Sequence, residues 1–145
     1  MAKHLFDTNI VSARSLIRLP PNAFMSAVVL SELMAAGDKT EFEAYQIIWR
    51  RGEKDNTLIV PTVEDWLPAA RILHLLALAR KKKSGGKAPR RTPTAKQELA
   101  MDVLIAVSAA RAGVTVVTND TDFDAIRYYH KQLKVKRGDE FFGEG

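Results

Sequence analysis

Short apolar strands alternating with longer helices make this an α/β sequence, with a central, mostly parallel sheet of four to five short strands covered on both faces. Three observations predict it. Brief apolar or β-branched runs end at polar or proline punctuation, as in "KHLFDTN", "LIVPT" and "TVVTND". The stretches between them are long and carry helical apolar spacing. Residues that cap or end helices stand where each period stops, Gly37 and Gly113 among them. A length of 145 residues, 46% hydrophobic and 27% charged, suits one domain spanning residues 1–145 with a core of ordinary size.

The elements follow in order. Lys3 to Phe6 read as a buried strand that stops at Asp7-Thr8-Asn9, all good capping types, before a helix marked by Ile10, Val11, Leu16 and Ile17. After the turn Pro20-Pro21-Asn22 come a strand at Phe24 to Ser26 and a helix from Ala27 to Ala36, ended by Gly37. An amphipathic helix from Asp38 to Lys54 places Phe42, Tyr45, Ile48 and Trp49 on one face. The third strand, Leu58 to Val60, closes at Pro61, and a long helix runs from Thr62 or Glu64 to about Lys82. Residues 81–93, "KKKSGGKAPRRTP", have no apolar period and read as a basic flexible loop. A helix from Thr94 to Ala112, a strand at Thr115 to Val117, a turn at "NDTD", a short helix around Phe123 to Tyr129 and an edge strand at Leu133 to Lys136 complete the chain.

Composition narrows the chemistry. With no cysteine there are no disulfides, thiolate metal sites or thiol nucleophiles, and the lone His4, His74 and His130 lack metal-ligand spacing. No charged-then-apolar signal segment opens the chain, and the longest apolar stretch, Val103 to Ala110, is too short to span a bilayer, so no membrane association and a cytoplasmic location are expected. A net charge of +5 and a pI of about 9.6 fit a polyanionic partner but do not require one.

Four acids stand where the apolar pattern changes: Asp7, Glu32, Asp102 and Asp120. A carboxylate in or beside an apolar core is costly unless compensated, so the set reads as a metal-site pattern, and hard oxygen ligands select Mg²⁺ or Mn²⁺. Asp7 and Asp120 each follow a strand, at the sheet end where ligands bind in such folds. Asp102 shares a core-facing helical stripe with Leu99, Ile105 and Ala106. Without a cation, two carboxylates about 5 Å apart repel by about 3 kcal/mol at an effective dielectric of about 20.

The blocks "FDTNIVSA", "MSAVVLSELMAAG" and "MDVLIAVSAARAGVTVVTNDTDF", in this order and spacing, resemble the PIN-domain ribonucleases, most closely toxins of the VapC type from prokaryotic toxin-antitoxin pairs. The resemblance implies a three-layer α/β/α fold, a pocket holding one or two Mg²⁺ or Mn²⁺ ions, hydrolysis of RNA phosphodiester bonds, a homodimer and a cognate antitoxin. It implies that Asp7 and Asp102 ligate the metal directly and that Glu32 and Asp120 complete the cluster, with Thr8 and Thr118 orienting these carboxylates. The run "NDTDFD" offers Asp122 beside Asp120, and Asp120, nearer the strand end, is expected to point inward. A divalent ion would supply hydroxide and charge relief together, so no protein nucleophile is needed.

Plainer roles exist for each residue. Asp7 can cap a helix, Glu32 can be solvated, Asp120 and Asp122 can form a turn, and Asp102 can pair with Arg111 or Arg127. Lys83, Lys87, Arg90 and Arg91 of the basic loop can contact RNA or merely be solvated. Phe42, Tyr45, Trp49 and Trp66 fit core or dimer packing better than base stacking, and Phe141 and Phe142 are expected outside the core. The rival reading is a catalytically idle PIN-like module that binds RNA or docks an antitoxin. An aspartyl-nucleophile phosphatase is disfavoured because Asn9 stands where its general acid belongs, and no phosphate-binding glycine loop follows the first strand.

Overall fold

The structure is a computed structural model that describes residues 3–13, 19–20, 22–85 and 91–143. Its strands are β1 (His4–Phe6), β2 (Met25–Ser26), β3 (Leu58–Ile59), β4 (Thr115–Thr118) and β5 (Val135–Arg137). The helices are α1 (Thr8–Ala13), α2 (Ala27–Ala36), α3 (Lys39–Asp55), α4 (Val63–Lys83), α5 (Pro93–Arg111), α6 (Asp122–Tyr129) and α7 (Gly138–Phe141).

All described strand pairs are parallel, in two ladders, β1-β4-β5 and β2-β3. A single parallel bridge between Leu5 and Phe24 joins them, with the Phe24 N–H donating to the His4 carbonyl at 2.9 Å. The spatial order is therefore β3-β2-β1-β4-β5, and it reverses between β1 and β4. In β1 the consecutive Leu5 and Phe6 are both fully buried, as are Val116, Val117 and Thr118 in β4. Since successive strand residues face opposite sides, helices cover both faces of the central strands, which gives the three-layer α/β/α arrangement. The core gathers Phe6, Ile10, Leu30, Ile105, Val116, Phe123 and Ile126 around this pair.

Local chemistry sets the helix ends that matter for the site. Ser26 caps α2, accepting from the Val28 N–H at 3.1 Å, and so fixes the start of the helix that carries Glu32. Thr92 caps α5, accepting from the Ala95 N–H at 3.1 Å, and Pro93 pre-sets the first helical φ. Gly113, at φ 73°, turns the chain into β4. Through α5 every residue from Val103 to Ala109 is buried, and the Ser108 hydroxyl is satisfied by donating back to Leu104 and Ile105 carbonyls at 2.6 and 3.1 Å.

Several expectations are corrected. The basic stretch does not begin at Lys81, because α4 continues to Lys83 before its Ser84 C-cap. Residues 86–90, with Lys87 and Arg90, lie outside the described residues, as do Leu16, Ile17 and Pro21. The last strand is Val135–Arg137, so Leu133 precedes it and is buried rather than in the strand. Phe141 and Phe142 are not outside the core: their rings lie 5.3 and 6.1 Å from that of Phe6, which attaches the C-terminal turn to the centre of the sheet. Arg111 pairs with Asp65 at 2.9 Å, not with Asp102, and also donates to the Val60 carbonyl at 3.2 Å. Asp65 is buried beneath that guanidinium and accepts from the Thr62 N–H at 2.8 Å as part of the α4 capping box. Burial pushes the Asp65 carboxyl up, but Arg111 and Thr62 outweigh it and hold the group below its ordinary value.

Candidate metal centre

The sheet order reverses between β1 and β4, and their carboxyl ends open the cleft in which this class of fold binds ligands. Asp7 follows β1 directly, with its N–H donating to the Val117 carbonyl of β4 at 3.0 Å. Its side chain is buried at 3% exposure and accepts from the Thr118 hydroxyl at 2.8 Å. That hydroxyl is a hub: it also accepts from the Asp120 N–H at 3.0 Å and, at 3.5 Å, from the Asn9 amide. Asp120 in turn accepts from the Asp122 N–H at 2.9 Å, which draws the start of α6 over the strand end. Thr8 contributes as well, through its backbone N–H on the Asp7 carboxylate.

Asp102 enters from α5. One carboxylate oxygen from each of Asp102, Asp120 and Asp122 lies within 4.8 Å of the other two, close enough to share one cation. Both aspartates of the turn therefore face the cleft, where the sequence favoured Asp120 alone. Asp7 lies behind this triplet and Glu32 reaches the same region from α2. Their charges are felt at Asp102, whose pKa is pushed up to about 8, first by burial and then by Asp7, Asp120, Glu32 and Asp122. Burial likewise raises Asp7, against the opposing hydrogen bonds from Thr118 and Thr8 and with added repulsion from Asp120. Glu32 is raised by burial, then by Asp7 and Glu98. Asp122 is raised by burial and Asp120, with Arg91 opposing.

The structure thus brings together Asp7, Glu32, Asp102, Asp120, Asp122 and Thr118. Lys83 and Arg91 are the described members of the basic set, and Arg91 is near enough to act on Asp122. Sequence reasoning missed two residues of this neighbourhood. The sequence offers Asn9 as a capping type and as a missing acid but not as a site residue, although its position two residues beyond Asp7 puts its amide over Thr118. Glu98 precedes Asp102 by one helical turn, and that spacing was the available signal.

The donor set fits a hard divalent cation. It is all oxygen and rich in carboxylate, no described cation is paired with the triplet, and Glu32 Oε1 is buried without a hydrogen-bond partner. A buried acceptor with no donor beside acids held partly protonated is what a missing positive charge leaves behind.

Among solved structures, the chain is similar to FitAB bound to the IR36 DNA fragment, at 20% identity and a TM-score of 0.53 over 93% of this chain and 94% of that one, a likeness in fold. VapBC2 from Rickettsia felis, bound to a promoter DNA fragment, matches at 20% identity and a TM-score of 0.48 over 92% and 97%. VapBC-5 from Mycobacterium tuberculosis, a member of a toxin-antitoxin family, matches at 23% and 0.46 over 94% and 96%. No functionally curated protein matches the chain. The PIN domain pattern matches residues 5–128, from β1 through the acidic turn and into α6, and the chain belongs to the PIN domain family.

Proposed function

We propose that this protein is a Mg²⁺- or Mn²⁺-dependent endoribonuclease that hydrolyses RNA phosphodiester bonds, acting as the toxin of a prokaryotic type II toxin-antitoxin pair. The observation that carries the reading is the convergence of Asp102, Asp120 and Asp122 within 4.8 Å, with buried Asp7 behind them. In this reading the protein is one domain over residues 1–145, works in the cytoplasm as a homodimer and is held by a cognate antitoxin. None of the described helices is long and apolar enough to cross a membrane, in keeping with that setting.

Asp102, Asp120 and Asp122 would hold the cation, with Asp7 and Glu32 completing its surroundings. A bound divalent ion supplies Lewis acidity and an acidified water, which phosphodiester hydrolysis needs at neutral pH. The chain's own residues set the stage. Thr118 holds Asp7 and the 119–122 turn in one register, so that carboxylates from both sides of the sheet reversal face one point. Asp102, with its pKa near 8, carries the proton that relieves the cluster until a cation takes over that task. Arg91 acts on Asp122 from beside the cleft, and its charge, with that of Lys83, suits the backbone of a single-stranded RNA.

The test compares wild type with Asp7→Ala on a mixed RNA pool, with Mg²⁺ or Mn²⁺ and with EDTA. Cleavage by wild type alone, abolished by EDTA, is expected. Retarded but uncut RNA would instead favour the idle binding module.

A further inference from the structure

The edge strand β5 ends beside the cleft. Thr118, whose hydroxyl organises the acidic cluster, is the register partner of Arg137, the last residue of that strand. Partners across a parallel ladder send their side chains to the same face, so Arg137 leaves β5 on the face where Thr118 donates to Asp7 at 2.8 Å. The preceding pair, Val117 with Lys136, points to the opposite face, where Lys136 Nζ lies 5.8 Å from the centroid of the Phe141 ring. Asp7, Thr118 and Arg137 thus form one row across the carboxyl ends of β1, β4 and β5.

The backbone on either side of Arg137 is fixed. Thr118 pairs with it in the ladder, and the next N–H, of Gly138, donates to Asn119 Oδ1 at 2.9 Å, in the turn that carries Asp120. The side chain is half-buried, yet no ion pair holds its guanidinium among the described residues. Asp7, Asp102 and Asp122 take their shifts from other groups, so this charge stands apart from the cation cluster instead of neutralising it. A charge that only guarded the sheet edge against pairing, as exposed Lys134 can, would need neither this face nor half-burial.

We infer that Arg137 is a substrate-positioning residue, whose guanidinium holds the RNA phosphate next to the one cut and so sets the scissile phosphate over Asp102, Asp120 and Asp122. The inference deepens the nuclease reading and rests on it. Two strand spacings, about 10 Å, separate the backbones of Asp7 and Arg137, which suits successive phosphates of one strand and not a single one. Arginine fits the task because its planar fork pairs with two phosphate oxygens at once.

The test uses an RNA that the wild-type chain cuts, with the cut position mapped. Arg137→Gln is expected to raise KM by about 10-fold or more while kcat changes less than about threefold, with the far-UV circular dichroism unchanged. Arg137→Lys, which keeps the charge, should recover part of the loss. In titrations of the same RNA in EDTA, the slope of log K against log salt should fall by about 0.7 in Arg137→Gln, the share of one phosphate. A single neutral methylphosphonate linkage, placed on either side of the cut in turn, should on one side cost wild type what the mutation costs and cost Arg137→Gln nothing more. An unchanged KM in Arg137→Gln, or losses that add on both sides of the cut, overturns the positioning role and leaves the nuclease reading standing. A wild-type chain that cuts no RNA with Mg²⁺ or Mn²⁺ overturns the two together.

Discussion

Asp102 concentrates the electrostatic tension of the molecule in one side chain. Its pKa of about 8 against an ordinary 3.8 means that the folded state holds a proton that the unfolded state has released between those values. Stability from this group is full below pH 4 and is lost as pH rises toward 8, so metal-free protein should melt at lower temperature at pH 8 than at pH 5. Asp102→Asn should flatten that slope and raise the metal-free melting temperature by several degrees, while abolishing RNA cleavage. Cation binding must displace the proton, so calorimetric titration with Mn²⁺ at pH 7 in two buffers of different ionisation heat should report release of about one proton. A second residue, Thr118, predicts a different signature. Thr118→Val removes the donor to Asp7 and the acceptor for the Asp120 N–H, and should cost about 1–3 kcal/mol in urea denaturation as well as weakening cation binding. These residues differed in how visible they were. Asp7 and Asp102 stood out because each breaks an apolar run, whereas Asp122 looked like a turn residue. Its N–H bond to Asp120, which holds it beside the cluster although it stays exposed, belongs to the fold of the 119–122 segment and leaves no trace in residue type.

At the scale of elements, the short C-terminal helix α7 shows what sequence periodicity leaves out. A four-residue helix has no period to read, and its place is set by distant contacts: Gly138 N–H donates to Asn119 Oδ1 at 2.9 Å, and Phe141 stacks edge-on against Phe6. A Cβ on Gly138 would overlap Ile10 Cδ1 and lie 2.9 Å from Asn119 Oδ1. Gly138→Ala should therefore destabilise the protein by about 1–3 kcal/mol, measured by urea denaturation, and disturb the turn that carries Asp120. The helices α2, α3 and α5, by contrast, were legible almost to the residue, because Ser26, Asp38 and Thr92 cap them and Gly37 and Gly113 follow them. The start of α4 was legible for the same reason, at Thr62. Its end was not. Three consecutive lysines favour the negative end of a helix dipole, and α4 extends through them instead of stopping before them.

For the whole molecule, the sheet and the acids form one cooperative object. Carboxylates from the end of β1, α2, α5 and the β4–α6 turn repel one another across a shared cleft, so the folded state is under tension that a bound cation would relieve. Millimolar Mg²⁺ or Mn²⁺ should raise the melting temperature of wild type in differential scanning fluorimetry, EDTA should reverse it, and Asp7→Ala should shrink the response. The order of strands was not legible, since alternation of strand and helix suits many doubly wound sheets; the bridge between Leu5 and Phe24, which joins the two ladders, is a single tertiary contact. What the alternation did convey was the end of the sheet at which to look for the cleft.

The central place of β1 carries one further consequence. Its partner on the cleft side, β4, begins only at Thr115, so Asp7 and Thr118 meet across 111 positions of chain. A polypeptide emerging from the ribosome has its first acid early but nothing to place it against. Whatever chemistry the cleft performs is therefore withheld until β4 and the acidic turn after it have also been made and can fold back onto β1.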